Sequence, residues 1–159
     1  MTVPTETFSN EGRRALYHIP WPALVLTVAG ALPFLFLSIA PFMGFEPFGR
    51  PPIVVLALYA LTILTFMGAI HWGLAMTRPA ADTTWSYVAS VVPALVGWFS
   101  VAFLPMPVAL RVIAVSFALL LLYDIRAARL LTAPPWYPVL RIPVTLVVVA
   151  TLLLASIVA

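Results

Sequence analysis

A chain of 159 residues that is 64% hydrophobic and 8% charged, with mean hydropathy +1.12, reads as one membrane domain with no length left over for a soluble one. Its formal charge of +3 comes from eight arginines against five acidic residues, without lysine, and the arginines are spread along the chain instead of forming the stripe that nucleic acid requires. Cysteine is absent, which excludes disulfides, thiolate metal sites and cysteine nucleophiles.

Residues 1–16 read as a short polar tail and 17–159 as the transmembrane domain. Arg13 and Arg14 precede an apolar run in the manner of a signal peptide, but that run is too long and further spans follow, so the first helix is expected to be retained. No Asp, Glu, Lys or Arg occurs between Arg14 and Glu46, between Arg50 and Arg78, or between Asp82 and Arg111. A helix of about 20 apolar residues spans a hydrocarbon core of roughly 30 Å, so these runs call for lipid.

In chain order the spans are expected at about 21–40, 53–76, 85–104, 107–125 and 140–159. Pro33 falls inside the first and should bend it, and Pro93 falls inside the third. The connection from Pro41 to Pro52 holds Phe42, Met43, Phe45 and Phe48, too apolar for a solvated loop, and is expected in the headgroup layer. Pro105, Met106 and Pro107 leave only a tight turn, which makes the third and fourth helices antiparallel neighbours. The fourth span is the least marked, because only Val112 to Tyr123 is free of charge, a length that also suits a buried or re-entrant element; starting at Pro107 lengthens it, with Arg111 snorkelling to the interface.

Five crossings place Arg13, Arg14, Arg78, Arg126, Arg129 and Arg141 on one side, against Arg50 and Arg111 on the other. The positive-inside rule then expects a cytoplasmic N-terminus and an outside C-terminus, in a bacterial inner membrane. The fold class is an all-α integral membrane protein, a five-helix transmembrane bundle. An odd number of spans does not divide into two equal inverted repeats of the secondary-transporter kind.

His71 lies about five residues inside the second span, roughly 8 Å from its end at 1.5 Å per residue, where an imidazole in hydrocarbon requires a partner. Asp124 and Arg126 are at matching depth on the fourth helix. Two readings stand side by side. One is a proton-handling or ligand site built from His71, Trp72, Asp124, Arg78, Arg126 and Arg141; the other is an interhelical hydrogen bond that locks packing. Gly68, Gly73 and Gly97 are expected to admit close helix approach under either reading.

With only His18 and His71 available, no metal centre is expected, and no nucleophile motif accompanies the histidine. Trp72, Trp85, Trp98, Trp136 and Tyr137 would suit a planar ligand such as a quinone, or simply an aromatic belt. No cofactor is expected. Asp124 to Arg141 is the densest polar stretch; its loop arginines suit anionic headgroups, and Pro134 to Pro138 reads as a rigid interfacial strap.

The run Gly68-Ala69-Ile70-His71-Trp72-Gly73, with Tyr123-Asp124, Pro135-Trp136-Tyr137 and Leu140-Arg141, resembles an uncharacterised family of small multi-span membrane proteins of proteobacteria, to which a mitochondrial transmembrane protein of animals is similar. The resemblance implies a five-helix membrane protein over roughly residues 17 to 157, without an assigned activity or catalytic residue. The leading functional expectation is an accessory or structural inner-membrane protein whose polar site engages lipid or another membrane subunit, itself included, and not nucleic acid. A small carrier of protons or quinone is the alternative, and a lipid-modifying enzyme the third.

Overall fold

The computed structural model describes residues 19–77, 83–130, 133–134 and 136–159. The polar tail 1–16 and Arg78 therefore lie outside the described residues. Helices α1 (Trp21–Ile39), α2 (Pro52–Met76), α3 (Thr84–Phe103), α4 (Met106–Arg129) and α5 (Tyr137–Val158) are joined by short connections, and no strand occurs among the described residues. All five, α1 counted with the 3-10 turn that follows it, are long and apolar enough to cross a bilayer. The α1–α2 connection forms two 3-10 turns, Ala40–Met43 and Pro47–Gly49, with Gly44 and Gly49 in the left-handed region at φ 63° and 66°.

Most helix starts follow proline chemistry. Pro22, Pro52, Pro107 and Pro138 all sit in first turns, where a missing N–H has no helical acceptor to disappoint. This shifts one expected boundary: α5 begins at Tyr137, not 140, with the Tyr137 N–H donating to the Pro134 carbonyl, so the end of the expected strap is already helix. At its other boundary α4 runs to Arg129, four residues past 125. Arg126 and Arg129 complement the negative end of the helix, and Ala127 is buried beside Ala133 and Tyr137.

Helix α2 packs on α1, α3 and α4, and α4 packs on α2, α3 and α5; α1 closes the ring against α5. The central pair owes this position to pattern. On α2 the buried positions Ala60, Leu64, Gly68, His71 and Ala75 recur every three to four residues, and on α4 Leu110, Ile113, Phe117, Leu120, Asp124 and Ala127 do the same. One stripe from each helix meets in a core centred on Leu56, Leu64, Leu110, Ile113, Phe117 and Leu152.

Small residues set the α2–α3 distance. A methyl added at Gly68 would lie 2.6 Å from the Ser90 carbonyl oxygen, and one at Gly97 would lie 2.8 Å from Leu61 Cδ1. Gly73 corrects the sequence expectation: it is exposed, with nothing within 4 Å of where its Cβ would be. Five residues on from Gly68, it has rotated about 140° off the packing face at 3.6 residues per turn.

Candidate functional site

The buried stripes of α2, α4 and α5 bring a histidine, an aspartate and an arginine to the same end of the bundle. His71 is five residues from the end of α2, Asp124 five from the end of α4, and Arg141 four from the start of α5. All three therefore lie about 6–8 Å below the helix ends at 1.5 Å per residue. Asp124 is 0% exposed, His71 1% and Arg141 5%.

Their geometry is that of a carboxylate held from both sides. His71 Nε2 stands 2.8 Å from Asp124 Oδ1, and Arg141 Nε donates to Asp124 Oδ2 at 2.9 Å. Because an ionised carboxylate only accepts, the imidazole hydrogen belongs on Nε2. Asp124 is the one acidic residue within the five spans, and a lone carboxylate there would be costly; two donors and one positive charge offset that cost. The Tyr123 ring meets the His71 ring edge-on at 4.7 Å between centroids, and the Tyr123 hydroxyl is 3.3 Å from Ser86 Oγ. Four helices are thus tied at one level.

Other candidates are not brought to this point. Trp72, next to His71 in sequence, faces outward at 47% exposure and packs edge-on against Tyr87. Arg126 is exposed at the end of α4. Two residues after Asp124, it lies about 160° away around the helix, so matching depth does not bring matching direction. The ring set is likewise dispersed: Trp98 pairs with Phe103 and Trp136 with Tyr137, while Trp85 is 73% exposed. Among the described residues no three His, Cys, Asp or Glu side chains gather as a metal site would require.

Sequence reasoning passed over two members of the neighbourhood as polar groups. Tyr137 and Thr145 flank Arg141 at intervals of four on α5, so the three form one line on a helix face. The Tyr137 hydroxyl, Arg141 Nη2 and Thr145 Oγ1 are buried without a hydrogen-bond partner. The signal was available as three polar-tipped residues at intervals of four in the first half of a mostly apolar span. Arg141 Cζ also sits 5.9 Å from the centre of the Tyr137 ring.

At the opposite end Arg111, five residues into α4, donates from Nε to Ser156 Oγ at 3.2 Å and from Nη2 to the Ser156 carbonyl at 3.4 Å. This is a cation on the closing turn of α5, where unpaired carbonyls concentrate negative charge.

Five apolar helices and a buried ion-paired triad define a polytopic integral membrane protein. The chain belongs to the family described as protein of unknown function (DUF3429), whose model matches residues 19–157. It is 32% identical over 143 residues to Transmembrane protein 69 of Xenopus tropicalis, a match covering 87% of this chain and 55% of that relative. The chain thus spans about half the length of the curated relative it matches. No solved structure matches it.

Proposed function

We propose that this protein is an accessory membrane subunit, in which the triad fastens α2, α4 and α5 into a rigid unit that makes its contacts within the bilayer plane. The observation that carries this reading is the enclosure of Asp124, fully buried with each carboxylate oxygen engaged. A proton carrier needs the carboxylate or imidazole to exchange with water, and a hydrolytic enzyme needs its polar groups open to substrate. A locking element needs the opposite, a carboxylate enclosed and engaged at both oxygens. Large apolar side chains meanwhile cover the outer faces, Leu119 and Leu122 of α4 and Leu146 and Leu153 of α5 among them.

The arginine distribution supports a bacterial inner membrane with the triad near the cytoplasmic face, the N-terminus inside and the C-terminus outside. The natural absence of cysteine makes orientation easy to test. Single cysteines at Thr83 and Leu130 are expected to label from the cytoplasm, and cysteines at Phe45 and Leu104 from the other side. Labelling of residues 83 and 130 from opposite faces would refute the arrangement. For the subunit reading, extraction in mild detergent is expected to bring down a fixed membrane protein at constant ratio. A chain that emerges alone, stable and unaffected in yield by detergent choice would overturn it.

A further inference from the structure

The line Tyr137–Arg141–Thr145 does not face the packed centre alone. It forms one wall of a cleft of about 300 Å³ between α1, α2 and α5, whose other walls include Thr27, Gly30, Phe34, Met67 and Phe117. The cleft exists because α1 is seated along half its length. Its buried residues, Phe34, Leu37 and Ser38, all follow Pro33, whereas none from Trp21 to Gly30 is buried. The Tyr59 hydroxyl donates to the Gly30 carbonyl at 2.8 Å, and this contact marks where α1 joins the bundle.

The orphaned atoms are unusual within this molecule. The buried hydroxyls of Ser38, Ser90, Ser100, Thr151 and Ser156 all donate to a carbonyl three or four residues back on their own helix. Thr145, 2% exposed, makes no such bond, nor does Tyr137, 9% exposed, find an acceptor. Arg141 spends Nε on Asp124 and leaves Nη2 without a partner. Leaving three buried polar groups unpaired is costly, so something that completes them is favoured. A larger groove of about 530 Å³ between α3 and α4 contains none of these orphans.

We propose that the α1–α5 cleft seats one acyl chain of a glycerolipid, whose ester carbonyl accepts a hydrogen bond from Arg141 Nη2 and a second from the Tyr137 or the Thr145 hydroxyl once a side-chain rotation turns these buried atoms toward the cleft. Three observations favour this occupant. The cleft is long, lined from Ala23 to Phe34 on α1 and from Trp136 to Val148 on α5, which suits a chain better than a compact ring system. Tyr137 and Arg141 lie within the first five residues of α5, while Thr145, Phe34, Phe117 and Val148 line the deeper part, the polarity of a lipid entering from its headgroup side. Finally, Asp124 already balances the charge of Arg141, so an uncharged acceptor such as an ester meets the remaining N–H without burying an unpaired anion. The proposal is independent of the subunit reading; an empty cleft and a missing protein partner are separate outcomes.

The test is retention. The full chain is reconstituted in vesicles holding equal amounts of a diester phosphatidylcholine and its diether analogue, which lacks the carbonyls, then extracted and its bound lipid measured by native mass spectrometry. The diester is expected to be held about 10-fold more than the diether, equal to about 1.4 kcal/mol. Thr145→Val with Tyr137→Phe should lower that preference to about 3-fold or less while leaving the triad in place, and Gly30→Leu should lower retention of both lipids by obstructing the cleft. Because the second variant leaves all three orphans present, loss of folding in one variant still leaves the other decisive alongside the wild-type ratio. Equal retention of the two lipids, a wild-type chain free of lipid, or displacement of the diester by equimolar ubiquinone would overturn the proposal.

Discussion

Arg141 and Arg111 each lie four or five residues inside the start of a helix, at opposite ends of the bundle, and the protein treats them differently. Arg141 is on the buried stripe of α5 and shares Asp124 with His71, whereas Arg111 is exposed and reaches across to the last turn of α5. The first arginine is enclosed by packing and needs a full counter-charge. The second keeps contact with the interface, and partial charges on a helix end suffice for it. One contact specifies which helices meet; the other trims a terminus.

The largest effect that should separate the two ends is Asp124→Asn. It leaves Arg141 buried without a counter-charge, and breaking such a pair costs about 3–5 kcal/mol. Thermal unfolding in detergent should fall sharply, and a variant as stable as the parent would show that water reaches the triad. His71→Phe keeps the Asp124–Arg141 pair and removes one charge-assisted hydrogen bond, so a loss of about 1.5–3 kcal/mol is expected in the same measurement.

Between the ends, Gly68→Ala drives a methyl against the Ser90 carbonyl and should cost about 1–3 kcal/mol, whereas Gly73→Ala should stay within about 0.5 kcal/mol. Reversal of that order would mean that α2 presents another face to α3. The smallest effect belongs to Arg111→Met, about 0.3–1 kcal/mol and diminished by salt, because the interaction is exposed and electrostatic. A loss as large as that from Asp124→Asn would dissolve the contrast between the ends.

Much of this was legible in the residues themselves. Long charge-free runs located the first three helices, and shorter apolar runs with proline at their starts located the last two, since lipid leaves the backbone few alternatives to helix. Boundaries were less legible: proline at a first turn and proline as a stop look alike, which is why α5 begins three residues earlier than expected. For the site, depth along the helix paired His71 with Asp124, but rotation decided which other groups joined them. Trp72, Arg126 and Gly73 share the depth or neighbourhood and point elsewhere, while Arg141, four residues from Tyr137 and from Thr145, points inward. The spacing of Tyr137, Arg141 and Thr145 put them on one face, but that the two hydroxyls go unpaired was not legible, because threonine in a membrane helix usually satisfies itself locally and Tyr137 read as a belt residue.

The order in which the triad is synthesised bears on how this protein is made. His71 enters the membrane first, Asp124 follows, and Arg141 emerges 17 residues later. A carboxylate at the centre of an inserting segment costs about 2.5–3.5 kcal/mol on insertion scales, somewhat less toward its end. α4 therefore has reason to linger at the translocation machinery until α5 supplies the guanidinium, so that the last two helices leave it as a hairpin. Biogenesis would then stall most severely in chains truncated between Asp124 and Arg141.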